Sequence, residues 1–143
     1  MTNRSSPPGT IIPSLIYTDV AKAIDFLCGA FGFTERLRIG ESDARVGHAQ
    51  LEFNGGGVML GEGRSGFRPP RAGEISVTIT VRVDDVDRHF EQARLFGARI
   101  EQPPTDHPYG ERQYSAEDLE GHRWAFTQAI ADVDPKDWGA KKA

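Results

Sequence analysis

Apolar residues along the chain follow one pattern twice, and this pattern predicts the same order of elements in each half. The stretch Ile11–Phe33 starts with an apolar, β-branched run and continues with apolar residues three and four positions apart. The run is typical of a strand, and the spacing is typical of an amphipathic helix. The stretch Ile75–Ile100 repeats this order about 65 residues later, which indicates two structural modules. The predicted apolar stripes are Val20, Ala23, Ile24, Leu27 and Phe31 in the first helix, and Val86, Phe90, Ala93 and Leu95 in the second.

Both predicted helices carry residues that mark helix ends. Asp19 and Asp85 directly precede the two stripes, where an aspartate side chain accepts hydrogen bonds from free backbone N–H groups. Gly32 and Gly97 directly follow them, where the chain commonly turns into the left-handed conformation that glycine adopts at low cost. The helices are therefore predicted to start after the aspartates and end before the glycines.

Three further strands are predicted after each helix, so that each module has the order β-α-β-β-β and the chain is an α+β protein. Asn54–Gly56 and Asp118–Gly121 have the composition of turns between neighbouring strands. The predicted strands are Ile11–Thr18, Glu35–Ile39, Val46–Phe53 and Val58–Leu60 in the first module, and Ser76–Val83, Arg99–Glu101, Arg112–Glu117 and Trp124–Gln128 in the second.

The two modules are predicted to form one domain between two flexible tails. The terminal stretches are polar and lack periodicity, and glycines and prolines concentrate between the modules. The predicted boundaries are a tail over 1–10, a single domain over 11–130 and a tail over 131–143, with module one over 11–62, a linker over 63–74 and module two over 75–130.

Composition narrows the function classes. The 143 residues carry a net charge of −4, which argues against binding to a nucleic-acid backbone. The single cysteine, Cys28, excludes a disulfide framework and a cysteine-based zinc site. The apolar runs are shorter than the roughly 20 residues that a membrane helix needs, and the first residues lack the apolar stretch of a signal peptide. We therefore expect a cytoplasmic protein without nucleic-acid or membrane partners.

Two motifs in module two resemble a known superfamily. Pro108–Tyr114 reads Pro-Tyr-Gly-Glu-Arg-Gln-Tyr, and Asp118–Trp124 supplies Asp-x-x-Gly-His-x-Trp. Together with the tandem βαβββ order over Ile11–Gln128, they resemble the glyoxalase/bleomycin-resistance/extradiol-dioxygenase superfamily, also called the vicinal oxygen chelate superfamily. The resemblance implies curled mixed sheets around a cavity, and it implies a homodimer that binds a small molecule.

The resemblance also implies where a metal would bind. Enzymes of the superfamily hold a divalent metal with His, Gln or Glu from the first and last strand of each module. Laid on this chain, these positions fall near Ile12, Met59, Thr78 and Ala125, and none has a ligand-type side chain. We therefore expect no metal cofactor.

His48, Gln50 and Glu52 alternate with apolar residues on one predicted strand, so they share one face of it. One interpretation is that this face meets solvent. The other is that it lines the cavity, where His48 and Gln50 would bind a ligand and His48 would act as a catalytic base.

The other histidines are weaker candidates for chemistry. His89 lies in the middle of the second predicted helix, and His107 lies in a loop bounded by prolines. We expect both to be solvated, and we expect His122 to be a surface or capping residue of its turn.

Tyr109, Arg112 and Tyr114 are candidate wall residues of the cavity. An arginine offers a fork of donors that suits a carboxylate or a phosphate. Arg112 and Tyr114 share one face of their predicted strand, and Glu111 is on the opposite face as the weaker candidate. Trp124 is either a core residue or an aromatic wall for a planar ligand.

Two functions remain open from the sequence. The first is a metal-free protein that encloses a small organic ligand, as antibiotic-sequestering members of the superfamily do. The alternative is a lyase, isomerase or dioxygenase that acts on a small oxygenated substrate through His48 or a metal.

Overall fold

The computed structural model describes residues 1–141, so the last two residues of the predicted C-terminal tail lie outside the described residues. Module one contains β1 (Ser14–Tyr17), α1 (Val20–Phe31), β2 (Thr34–Gly40), β3 (Val46–Phe53) and β4 (Gly56–Glu62). Module two contains β5 (Thr78–Arg82), α2 (Val86–Phe96), β6 (Arg99–His107), β7 (Glu111–Glu117) and β8 (Arg123–Ala129), and a 3-10 turn follows at Pro135–Trp138.

Each module forms one mixed sheet of four strands. The strand orders are β1-β4-β3-β2 and β5-β8-β7-β6. The first strand of each sheet pairs in parallel with the last strand of its module, and the other neighbours pair antiparallel. The predicted α+β class and the two βαβββ modules are therefore confirmed.

The predicted caps hold both helices. The side chains of Asp19 and Asp85 accept from the backbone N–H three residues later, at 3.0 and 3.1 Å. Gly32 and Gly97 end the helices with φ angles of 80° and 110°, a conformation that a side chain would strain. Local sequence signals thus set where each helix begins and ends.

The two helices differ in how much they bury. α1 buries its whole predicted stripe, including Leu27, which has no exposed surface. On α2, Val86 and Ala93 are buried, but Leu95 is 74% exposed. The prediction that Leu95 belongs to the apolar stripe was wrong, because the buried face of α2 is narrower than its apolar pattern.

One aromatic core joins the modules. Phe31 at the end of α1 packs on Phe126 of β8 with ring centroids 4.7 Å apart, and Phe33 packs on Trp124 at 5.5 Å. The two helices also pack on each other, with Phe96 of α2 lying against Gly29 of α1. Each sheet therefore turns one face toward this shared core and the other face away from it.

A second junction ties the turn between β7 and β8 to the end of β1. The hydroxyl of Tyr17 donates to the buried carboxylate of Asp118 at 2.6 Å, and the indole of Trp124 donates to it at 3.1 Å. Glu120 accepts from the backbone N–H groups of Thr18 and Asp19. Burial, followed by the neighbouring Asp118 charge, raises the pKa of Tyr17 well above its ordinary value, so Tyr17 remains a donor.

We call the faces turned away from the core open face one and open face two. Ladder pairing places neighbouring residues of adjacent strands on the same face. Open face one carries His48, Gln50 and Glu52 of β3 and Gly57, Met59 and Gly61 of β4. Open face two carries Glu111, Gln113 and Ser115 of β7 and Ala125 and Thr127 of β8.

Within residues 1–141, neither helix has the length and apolar character that crossing a membrane requires.

Candidate functional site

A chain of hydrogen bonds crosses open face two. The hydroxyl of Tyr109 donates to Gln113 Oε1 at 3.0 Å, and Gln113 Nε2 donates to Glu111 Oε2 at 2.9 Å. The hydroxyl of Thr127 donates to the same oxygen of Glu111 at 3.0 Å. Tyr109, predicted as a ligand-binding residue, is thus linked to three polar side chains of one face.

Glu111 is the charged centre of this cluster. Its carboxylate is partly buried, and its hydrogen-bond partners Gln113 and Thr127 are neutral. By contrast, Glu117 on the same strand forms ion pairs with Arg99 at 2.9 Å and Arg123 at 3.3 Å. Glu111 forms no such pair among the described residues, so no arginine or lysine within them neutralises its charge.

Aromatic side chains flank the cluster. The imidazole of His107 stacks on Tyr109 with centroids 5.1 Å apart, and Trp138 meets Tyr109 edge-on at 5.5 Å. Gly110, directly after Tyr109, fits tightly against the segment that follows β8, because a side chain on Gly110 would collide with the carbonyl of Ala131. The segment after β8 therefore lies against the edge of open face two.

On open face one, Gln50 lies below the N-terminal segment. It is 4% exposed, and its Nε2 donates to the backbone carbonyl of Ser5 at 3.0 Å. His48 is half-buried beside it, with ring Nε2 at 3.5 Å from Gln50 Nε2. The predicted shared face of His48, Gln50 and Glu52 is confirmed by the ladder.

Arg36 is a member of open face one that the sequence analysis missed. Its guanidinium lies 3.4 Å from Glu52 and donates to the backbone carbonyls of Arg4 and Ser6 at 3.0 and 3.1 Å. Arg36 sits in an irregular step of the ladder, between residues that pair directly with β3. Because a bulge breaks the alternation of faces, the period of two could not assign it.

Arg112 and Tyr114 do share a face, as predicted, but it is the face packed against α2. Arg112 donates to Asp87 of α2 and to Asp106 of β6, both at 2.9 Å. Tyr114 is 1% exposed, and its hydroxyl lies 2.6 Å from the ring of His89. Arg112 and Tyr114 were predicted as wall residues of the cavity, but they lie on the helix side of β7. Tyr114 and the apolar Ala116 alternate along β7 with the polar residues of open face two, and Arg112 is on the same side as Tyr114. That alternation is visible in the sequence.

Trp124 lies in the core and not on an open face. It has no exposed surface, packs on Phe31 and Phe33, and donates its indole N–H to Asp118. Of its two sequence interpretations, the structure supports the core residue.

His89 is partly buried, which corrects the expectation that it is solvated. Its Nε2 lies 2.8 Å from the carbonyl of Phe31, and its Nδ1 lies 2.6 Å from the hydroxyl of Tyr114. Because a carbonyl only accepts, Nε2 carries the proton and Nδ1 accepts from the tyrosine. Burial lowers the pKa of His89 and favours this neutral form.

The predicted site residues therefore do not form one cluster within the chain. His48 and Gln50 lie on open face one, and Tyr109 lies beside open face two. The other three face the helices or the core. A groove of about 540 Å³ between β1, residues 66–76 and the start of β8 contains none of the six predicted residues.

Comparison with protein families identifies the fold. The model of the Glyoxalase/Bleomycin resistance protein/Dioxygenase superfamily matches residues 11–126. The chain belongs to this superfamily. The resemblance inferred from Pro108–Tyr114 and Asp118–Trp124 is therefore confirmed.

This chain is similar to proteins from Mycobacterium, Micromonospora and Streptomyces. An uncharacterized protein of Mycobacterium bovis is 34% identical over 128 residues, which cover 85% of this chain and 84% of that protein. TioX from Micromonospora sp. ML1 is 38% identical in sequence to this chain. Its crystal structure matches with a TM-score of 0.72 over 85% of this chain and 99% of that one. TnmS3, an antibiotic binding protein from Streptomyces sp. CB03234, has the same fold at 22% identity, with a TM-score of 0.66 over 82% and 93% of the two chains.

The metal positions of the superfamily can be tested against the ladders. Met59 of β4 lies opposite Ser14 of β1 and Gln50 of β3, and Ala125 of β8 lies opposite Thr80 of β5 and Ser115 of β7. Apart from the carboxamide of Gln50, this set offers a thioether, a methyl group and hydroxyls, which do not complete a site that uses imidazole, carboxamide or carboxylate ligands. Among residues 1–141, His, Cys, Asp and Glu form no group of three placed to hold a metal ion.

Proposed function

We propose that this protein binds a small organic molecule, without a metal, between the open faces of two copies of the chain. The observation that carries the proposal is the chemistry of the open faces. They offer hydrogen-bonding groups and a carboxylate, but their metal positions hold Met59 and Ala125. The proposed place of action is the cytoplasm.

The physical need for enclosure supports a homodimer. Small-molecule sites bury roughly 70–90% of their ligand, and a single sheet face covers only one side of a molecule. Within one chain the helices pack on the opposite faces of the two sheets, so the open faces are turned away from the shared core. A second copy would supply the missing wall and bring Gln50 of one chain toward Glu111 of the other.

The carboxylate of Glu111 supports a cationic ligand. It is held in place by neutral donors and has no ion pair within residues 1–141, so a positive group would replace water at this charge. The net charge of −4 also favours a cationic ligand over an anionic one. Because the superfamily includes bleomycin resistance proteins and TnmS3 is an antibiotic binding protein, antibiotics are the first compounds to test.

The alternative of an enzyme rests on His48. Its ring has Gln50 as its hydrogen-bonding neighbour, at 3.5 Å, and among the described residues it has no carboxylate to orient it as a base. The binding proposal is preferred because the hydrogen-bonded cluster around Glu111 lies on open face two, whereas His48 lies on open face one.

Isothermal titration of bleomycin and a panel of aromatic antibiotics, with protein pretreated with a chelator, tests the proposal. Glu111→Gln removes the charge on open face two and keeps the size of the side chain. Glu91→Gln is the control, because Glu91 pairs with Arg94 on the exposed side of α2. We expect a bound antibiotic to lose about tenfold in affinity, or ~1.4 kcal/mol, in the first variant and nothing in the second. Equal binding to both variants, or no binding to any protein of the set, would contradict the proposal.

A further inference from the structure

The N-terminal segment over residues 3–8, which we call the strap, lies across open face one. Arg36 donates to the carbonyls of Arg4 and Ser6 at 3.0 and 3.1 Å, and Gln50 donates to the carbonyl of Ser5 at 3.0 Å. Three consecutive backbone carbonyls are thus bound by two side chains of the sheet. The strap lies within the predicted tail over residues 1–10 and contacts the sheet through these three hydrogen bonds.

The apolar contact beneath the strap is equally close. Pro7 is buried, and a Cβ atom on Gly57 would lie 2.7 Å from Pro7 Cβ and 3.1 Å from the carbonyl of Pro8. Gly57 is not in the left-handed conformation, so the backbone of β4 does not itself require glycine here. The missing side chain instead lets the strap approach the sheet.

Open face one keeps unused hydrogen-bonding capacity under the strap. Gln50 Oε1 and Arg36 Nε are both buried without a hydrogen-bond partner in the part of the chain that the structure describes. A buried polar atom without a partner is unfavourable. The strap therefore satisfies this face only in part, and a molecule with both donors and acceptors would satisfy it better.

We propose that the strap is a built-in competitor for open face one, which a ligand must displace before it reaches Arg36 and Gln50. The inference rests on the proposed function, because it concerns the same face. The strap offers the backbone carbonyls of a turn, so the ligand that replaces it carries amide-type carbonyl groups of its own. A tethered segment acts at an effective concentration on the order of millimolar, so weak contacts suffice to hold it in place and a tighter ligand can displace it.

Trypsin cleavage after Arg4 in the folded full-length protein reports whether the strap is docked. Gly57→Ala places a methyl group against Pro7, whereas Gly61→Ala on the same strand and face meets only an ordinary contact of 3.6 Å with Ile16. Cleavage depends on how often the segment opens, so we expect about tenfold faster cleavage in Gly57→Ala and no change in Gly61→Ala. Arg36→Lys should act like Gly57→Ala, and Arg38→Lys is its control because Arg38 pairs with Glu35. Wild-type cleavage as fast as that of a free peptide of residues 1–10 would overturn the proposal.

Competition is tested with an acetylated peptide of residues 2–9 as the probe, followed by NMR titration of the Gln50 side-chain amide. Pro7→Asp in the full-length chain loosens the strap and leaves the sheet unchanged, and Thr2→Asp is the control with the same added charge. Because the tethered strap competes at an effective concentration of about a millimolar, we expect the peptide to bind Pro7→Asp with a Kd of about 0.1 mM and roughly tenfold more weakly to the wild type and Thr2→Asp. Equal binding to all three proteins, or to none, would overturn the strap proposal. Neither result depends on any antibiotic, so failure of the proposed function is seen separately, in the titration with chelator-treated protein.

Discussion

The two modules share one order of elements but differ in what their helices bury. α1 buries six side chains, whereas α2 buries Val86 and Ala93 and leaves Leu95 exposed. The polar His89 occupies the junction with module one instead of an apolar residue. An amphipathic pattern therefore sets the orientation of a helix, while the neighbouring elements decide how much of its apolar stripe is covered.

The strongest test of this difference is a pair of leucine substitutions. Leu27→Ala in α1 removes a side chain with no exposed surface, and Leu95→Ala in α2 removes one that is 74% exposed. We expect a loss of about 2–5 kcal/mol in the free energy of unfolding for Leu27→Ala and a change within about 0.5 kcal/mol for Leu95→Ala. Urea denaturation measures both. Losses of similar size would show that the modules bury their helices equally.

The junction between the modules gives the next largest expected effect. Asp118 accepts from two side chains, Tyr17 and Trp124, and from two backbone N–H groups of its own turn. Asp118→Asn replaces one accepting oxygen with a donor, which then faces another donor, so we expect a loss of roughly 1–3 kcal/mol. Asp84→Asn, at an exposed position, is the control for lost charge. If the two variants unfold at the same urea concentration, the Asp118 network does not hold the modules together.

The smallest expected effect is a pH dependence that belongs to α2. Because burial lowers the pKa of His89 in the folded protein, folding favours its neutral form. Its contribution is complete above the ordinary histidine pKa of 6.5 and is lost as the pH falls below that value toward the lowered pKa. The slope from one proton is at most about 1.4 kcal/mol per pH unit.

Unfolding free energies at pH 7.5 and 5.5, compared between wild type and His89→Gln, isolate this contribution from that of the carboxylates. We expect the wild type to lose more stability between the two pH values than the variant. An equal loss in both proteins would mean that His89 is not held neutral at the module junction.

The open faces form a second comparison. Open face one is covered by the strap and pairs its arginine with Glu52, whereas open face two holds Glu111 with neutral partners. In the proposed site, the strap therefore competes at open face one, and the carboxylate of Glu111 attracts the ligand at open face two.

The sequence predicted the fold more fully than the site, for identifiable reasons. Caps at Asp19 and Gly32 are local signals, so the helix ends could be placed correctly. The side of β7 on which Arg112 lies could also have been predicted from the sequence, because Tyr114 and Ala116 mark the core side of this strand. Arg36 could not be assigned, because its bulge and its contacts with residues 4–6 depend on segments some 30 positions apart.

Metal analysis of the purified protein, together with antibiotic titration before and after chelation, decides whether the open faces bind their ligand without a metal. We expect metal far below one equivalent per chain, with unchanged melting temperature and antibiotic affinity after chelation. Near-stoichiometric metal, with loss of binding or stability on chelation, would contradict it.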